Sequence, residues 1–378
     1  MTTESDGAAI AGQTPAVPVL VAWRCGQRGR AVAHALAILG PWLLVALVPG
    51  RLVAAFTNPR SESLVALAVL VALAVGGPLA AARDARRLAA GGRGSDWPAR
   101  LVADQAAALG LVLIGVFVVV ALLAPLLAPY DPLQIGDLRT ASYRPPGSGH
   151  WLGTDQFGRD VLSRTIYGAR VSLWIALLAA ALAVGIGTGV GLVAGYAGGT
   201  TDGVLMRGVD VLMAFPRLFL VLLLAGLLRP SAELVVVALG FTGWMSTARL
   251  VRTQVRALRQ GGWVESARAL GLPTPRILRR HVLPNVAAPI LVSATLMVGQ
   301  TILAESALSF LGIGVQVPTP SWGQMIDDGR RVFPEVWWVS VFPGLAITLT
   351  VVGYNLLGDA LRDELDPRWR ARGRGWIP

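Results

Sequence analysis

The 378-residue sequence has no lysine, one cysteine and three histidines, and each scarcity closes off a class of function. A single thiol, Cys25, can form neither an internal disulfide framework nor a cysteine-based metal site. His34, His150 and His281 lie far apart and fit no HExxH pattern, so a metalloenzyme is not indicated. No GxxxxGK[ST] phosphate loop occurs, and the chain therefore carries no nucleotide-driven motor of its own. Charge is scarce as well. Only 15% of residues are charged against 54% apolar, with a mean hydropathy of +0.60. A soluble domain carries about 25% charged residues, so the composition indicates an integral membrane protein. No cofactor and no metal are expected.

What is present is a series of apolar stretches, near residues 31–49, 64–82, 106–128, 171–197, 208–228, 232–248, 286–310 and 336–360. Each approaches the roughly 20 residues of helix that cross a hydrocarbon core. The expected fold is an all-α polytopic helical bundle. All 33 basic residues are arginines, and they give a net charge of +11. They are spread between the apolar stretches, which suits a membrane topology better than a nucleic-acid surface. With the N-terminus inside, the inner segments hold 22 arginines and the outer segments nine. That bias places both termini in the cytoplasm. No signal-peptide pattern precedes the first apolar stretch. The expected organisation is a polar tail over 1–22, an accessory transmembrane hairpin and basic linker over 23–104, a main membrane body over 105–368, and a tail over 369–378.

Residues 261–285, GGWVESARALGLPTPRILRRHVLPN, form a polar, arginine-rich segment between two apolar runs. Good helix formers at 263–270 are followed by Gly271, with Pro273 and Pro275 just beyond, so a short helix should stop abruptly there. The arginine bias puts this helix on the cytoplasmic side. Its spacing of Glu265, Ser266, Ala267, then Gly271, then Leu283 and Pro284 resembles the EAA motif of ATP-binding-cassette importer permeases. Ser266 stands where a second alanine is usual, and His281 stands where a strict consensus has isoleucine. The HVLPN ending, together with HWLGTDQFGRDVLSRTIYGARVSL from His150 on, is similar to the dipeptide/oligopeptide/nickel branch of that family.

The resemblance implies a six-helix permease core, preceded here by one additional pair of helices, in a bacterial inner membrane. It also implies a second permease subunit, two cytoplasmic ATPase subunits and an extracytoplasmic substrate-binding protein as partners. Glu265, Ser266, Ala267, Arg268, Ala269, Leu270, Gly271, Leu283 and Pro284 would then form the loop that couples to the ATPases. The implied substrates are di- and oligopeptides, nickel chelates or glutathione.

Other segments carry their own expectations. Asp155, Arg159, Asp160 and Arg164 can pair to order the outer loop, either as a capped helix entry or as a substrate contact. Gly187, Gly191, Gly195 and Gly199 form a small-residue stripe, a packing face within the subunit or against a partner. Asp210 lies near the inner boundary as a pathway or gate residue, and Pro216 kinks the entry to a span, as a gating hinge or as a tolerated irregularity. Arg249, Arg252, Arg256 and Arg259 recur on one face, which predicts a helix lying along anionic headgroups. Gln300 and Glu305 sit within a span as pathway or gate residues, or as hydrogen bonders between helices. Pro318, Pro320, Trp322 and Gly323 belong, by resemblance, to the face that meets the binding protein.

Two other classes fit less well. An ion-coupled secondary transporter usually needs several ionisable residues near the membrane midplane and repeated halves, and neither is evident. A membrane enzyme needs a nucleophile–base pair or a metal cluster, and the histidines and carboxylates here are scattered.

Overall fold

The computed structural model describes residues 104–227 and 230–365, together with Ala66, Val69, Leu70 and Leu101; the side chains of residues 225–227, Trp263 and Glu265 lie outside the described set. The expected N-terminal tail, almost all of the accessory hairpin and linker, and the C-terminal tail fall outside it too. Two compact units are present, one ending at Arg170 and resuming at Val352, the other covering Val171–Val351.

In the first unit, helix α1 (Gln105–Leu122) begins where the Asp104 carboxylate accepts the Ala107 N–H at 2.8 Å, satisfying one of the free donors of the first turn. A short α2 (Ala124–Leu127) follows. The long α3 (Val161–Ala197) and the last helix, α11 (Trp338–Leu365), each contribute their ends to this unit. Helix α1 meets α11 at two glycines, and a methyl added to Gly110 would stand 2.8 Å from the Gly353 carbonyl oxygen. Without a hydrophobic drive between helices in lipid, such backbone proximity is what small residues provide.

The loop before α3 is ordered by the charges the sequence singled out. Asp155 accepts from Arg159 at 2.7 Å and from Arg164 at 2.8 Å, and all three side chains are buried. Asp160 accepts the Ser163 N–H at 2.8 Å and hydroxyl at 2.7 Å, while its other oxygen pairs with His150 Nδ1 at 2.9 Å. The cluster is a capped helix entry. It starts α3 at Val161, ten residues before the predicted apolar stretch.

The second unit contains the rest of α3 and then α4 (Gly199–Ala214), α5 (Arg217–Leu227), α6 (Ala232–Arg259) and α7 (Gly262–Ala269). After these come α8 (Thr274–Ile277), a π-turn (Leu278–Val282), α9 (Leu283–Phe310), α10 (Trp322–Arg330) and the start of α11. Five helical stretches among the described residues are long and apolar enough to cross a membrane: Gln105–Leu122, Val161–Ala197, Ala232–Arg259, Thr274–Phe310 and Trp338–Leu365.

Two expectations need correction. The predicted span at 208–228 is broken rather than kinked. Pro216 has no N–H for the Leu212 carbonyl, and it forces Phe215 into extended backbone (φ −84°, ψ 132°) between α4 and α5. The predicted headgroup-lying helix at 249–259 is not a separate element. It continues α6 without a break, and Val251 and Val255 on it are buried.

The glycine stripe finds its partner inside the unit. A methyl on Gly187 would lie 2.5 Å from the Trp244 carbonyl oxygen, one on Gly191 2.6 Å from that of Ala248, and one on Gly195 2.8 Å from that of Arg252. Three successive turns of α3 therefore rest directly on the backbone of α6. Gly199 takes no part; it has φ +54° at the start of α4, with open space where a methyl would stand.

Candidate functional site

Helix α7 is a short knuckle fixed at one side and bare at the other. Its stop is a Schellman closure: Gly271 N–H donates to the Arg268 carbonyl at 2.9 Å and Leu272 N–H to that of Ala267 at 3.2 Å. Gly271 sits at φ +74°, a left-handed conformation that costs a side-chain-bearing residue roughly 1–2 kcal/mol. The inner face, Val264 and Ala267, enters a cluster with Tyr196 of α3, Val251 and Val255 of α6, Ile277, Val282 and Val286. Full burial of one valine of this kind stabilises by about 1.5–3 kcal/mol. Arg268 is held as well: its Nε donates to the Tyr196 hydroxyl at 3.0 Å and its guanidinium lies 4.6 Å from that ring's centre.

The other face carries Ser266, Ala269, Leu270 and Gly271 into solvent, and Leu270 is 81% exposed. Among the described side chains of the knuckle, that leucine leaves a large apolar gain open to burial against a partner. Glu265 lies in the second turn of α7.

Leu283 and Pro284 act from below. Pro284 near the start of α9 lacks an N–H and its ring crowds the carbonyl four residues back, so the chain widens into the π-turn at Leu278–Val282. The Leu283 N–H reaches back five residues to the Leu278 carbonyl. Leu283 packs against the cluster beneath α7, while Pro284 is exposed. The knuckle is thus seated on the feet of α3, α6 and α9.

The arginines of α6 are engaged with α4. Arg252 donates to both oxygens of Asp202, at 2.5 and 2.7 Å, and Arg256 lies 3.9 Å from the same carboxylate. Arg249 pairs with Asp210 at 2.5 Å, with both side chains about half exposed. The hydrogen bond from Arg252 holds the Asp202 carboxyl below the usual carboxylate range, against the opposing cost of burial. Asp210, expected at a pathway or gate, is therefore one rung of an ionic ladder between α4 and α6. Pro216 marks the break between α4 and α5.

Gln300 is exposed on α9, whereas Glu305 is fully buried. Glu305 accepts from Ser309 at 2.8 Å, from Ser172 of α3 at 3.2 Å and from Ser306 at 3.5 Å. The bond to Ser172 ties α9 to α3. The Ser172 hydroxyl also accepts the Trp322 N–H at 3.3 Å, which joins α10 to the same hub.

Of the residues expected to face a binding protein, only Pro318 is exposed. Pro320, Trp322 and Gly323 are buried, so those three form part of the packed interior of this unit rather than its outer surface. A methyl on Gly323 would stand 2.6 Å from the Ser306 Cα.

Tyr196, Asp202 and Ser172 have structural roles the sequence did not reveal. Their partners lie 72, 50 and 133 residues away, and no local pattern flags such pairs.

Residues 187–371 match the family described as binding-protein-dependent transport system inner membrane component, and residues 94–146 match the N-terminal TM domain of oligopeptide transport permease C. The dipeptide transport system permease protein of Bacillus subtilis is 42% identical over 272 residues, 72% of this chain and 84% of that protein. The oligopeptide transport system permease protein of the same organism is 39% identical over 271 residues, covering 72% and 88%. The Escherichia coli K12 dipeptide permease protein is 44% identical over 271 residues, covering 70% and 90%. With five candidate spans and these relatives, the chain is a multi-pass membrane protein that belongs to the family of binding-protein-dependent transport system inner-membrane components.

Proposed function

We propose that this chain is one of two permease subunits of an ATP-driven importer for di- and oligopeptides or related small solutes such as nickel chelates and glutathione. The peptide assignment is supported by what the relatives are named for, permease proteins of dipeptide and oligopeptide transport systems. The two ATPases, a second permease and a substrate-binding protein are separate chains. Both termini and the knuckle at 262–271 face the cytoplasm, in keeping with the 22-to-nine arginine bias.

In this reading the knuckle is the coupling element. Closure of the ATPase pair displaces α7, and the feet of α3, α6 and α9 move with it because Val264 and Ala267 are packed among them. One observation carries the proposal: a rigidly stopped helix, buried on one side, presents an 81%-exposed Leu270 on the other. An ion-coupled transporter finds less support. Among the described residues of the five candidate spans, the only buried acid is Glu305, and serine hydroxyls surround it.

The test is uptake of a radiolabelled dipeptide by the assembled system. Gly271→Pro or Glu265→Arg is expected to abolish uptake while the chain still inserts in the membrane. Normal uptake in both variants removes the coupling role. The isolated chain should hydrolyse no ATP, and co-expression with its partners should restore hydrolysis that a binding protein stimulates.

A further inference from the structure

The start of α5 holds a charge that no described acid answers. Arg217 is the first residue of that helix, directly after the break at Pro216. Its Nε donates to the Thr242 hydroxyl and its Nη2 to the Leu239 carbonyl, both at 3.3 Å. Both partners are neutral, and among the described residues Arg217 makes no ion pair. The side chain is half-buried, and Nη1 bonds to no described residue, so the end of the guanidinium fork is open.

Its depth in the membrane limits what can meet it. Leu239 and Thr242 fall within the apolar stretch 232–248 of α6, which at 1.5 Å per residue is about 25 Å long, and they lie roughly 9–15 Å from either end of it. Arg217 is therefore held near the middle of the hydrocarbon layer, away from the headgroups. An unpaired charge at that depth marks a transport path or a missing partner.

The backbone beside it narrows the choice. The break leaves the last carbonyls of α4 and the first N–H groups of α5 without partners in their own helices. The Phe219 and Leu220 N–H groups turn to the Pro216 carbonyl, at 2.9 and 3.4 Å. Irregular backbone at membrane depth is tolerated against protein or along a water-filled cavity, but not against lipid. Val221 and Leu224, on one side of α5, pack among residues of α3, α6 and α9. Phe215, Pro216, Leu218 and Phe219 are exposed, so this side of the break meets water or another subunit. A subunit that sealed it would bury the guanidinium and must bring an acid of its own. A water-filled path needs only a passing anion, and an open fork held by two long bonds to neutral groups can take one and release it.

We propose that Arg217 lines the cargo path and binds the main-chain carboxylate of a peptide in transit. The proposal rests on the importer reading. That carboxylate is the one anion every linear peptide carries whatever its side chains, and the planar fork matches it with two parallel hydrogen bonds.

The experiment uses the assembled transporter carrying Cys25→Ser and Phe219→Cys, at a site beside Arg217 that is 66% exposed. It is probed in detergent, without binding protein, by small anionic and cationic thiosulfonates, with each rate divided by that of a free thiol and read as mass added to this chain. The anionic reagent should be favoured about tenfold, the size of effect that one charge-assisted hydrogen bond supplies. Arg217→Gln should bring the two reagents to parity, and Arg217→Lys should keep most of the preference. Excess alanylalanine should slow the reaction in the Arg217 chain, and its C-terminal amide should not. If Arg217→Gln does not assemble, the comparison of dipeptide with amide decides alone. No reaction with either reagent puts the break in lipid and overturns the proposal. Equal protection by the amide, or undiminished protection in Arg217→Gln, overturns it as well. Reaction without protection assigns the arginine to an acid of the second permease instead and also overturns it. Dipeptide uptake by the same complex with its binding protein is measured alongside. Uptake without protection fails this proposal alone, whereas no uptake of any peptide fails the importer reading.

Discussion

Two short helices flank α9, and they are built in opposite ways. Helix α10, nine residues long, enters through the Ser321 hydroxyl, which accepts the Gln324 N–H at 3.3 Å, and then buries Trp322, Gly323, Gln324 and Met325 in succession. Helix α7, eight residues long, has no side-chain cap at its start, gains its rigidity from the Schellman stop, and buries Val264 and Ala267 while exposing the opposite edge. The first is a wedge whose contacts are completed within the chain. The second is half of a contact. On the proposed function, the helix with unfilled apolar surface is the one that receives a partner, whereas resemblance alone assigns receptor roles to both.

This contrast can be broken by measurement. The largest effect is expected from Trp322→Ala, which empties a wholly buried site and should lower stability by about 3–5 kcal/mol. Leu270→Ala, at an exposed site, should stay within ~0.5 kcal/mol. Thermal melts in detergent compare the two directly, and equal melting would remove the distinction between wedge and knuckle.

Gly323→Ala comes next. Its methyl must enter space held by the Ser306 backbone, and overpacking of that kind costs about 1–3 kcal/mol. Gly271→Ala has open space for the methyl and only the left-handed backbone to oppose it, about 1–2 kcal/mol, confined to the knuckle. Hydrogen exchange of the 262–272 amides should therefore rise in Gly271→Ala while the amides of α10 stay protected.

The smallest effect is a pH dependence of the ladder between α4 and α6. Because the folded-state pKa of Asp202 is depressed, chiefly by Arg252, its contribution is present above the unfolded carboxylate pKa of about 3.9 and is lost as pH falls through the folded value. Wild-type melting should be flat from neutral pH to about pH 5 and fall below pH 4. Asp202→Asn should show a shallower acid limb and lower stability at neutral pH.

Local signals were legible in the sequence and distant pairings were not. Gly271 followed by two prolines announced the knuckle's stop, and the spacing of Gly187, Gly191 and Gly195 announced a packing face, because both are properties of a few consecutive turns. That the stripe meets α6 could not be read, since periodicity defines a face and not its partner. The arginines of 249–259 were misread for the same reason: their acids lie on α4, 39 and 50 residues away. Trp322 and Gly323 read as loop because proline-rich sequence looks exposed, while the burial comes from Ser172, Ser306 and Ser309 on distant turns. Pro216 was recognised as an irregularity, but whether a proline bends or breaks a helix depends on neighbours that sequence does not give.

The most direct measurement places a thiol at the tip of the knuckle. In a chain whose native thiol is removed by Cys25→Ser, Leu270→Cys should crosslink to the ATPase subunit of the assembled transporter, and a membrane-impermeant maleimide should reach it only in inverted vesicles. Labelling from the outer face, or a position 270 that reaches no ATPase while uptake is intact, would contradict the account.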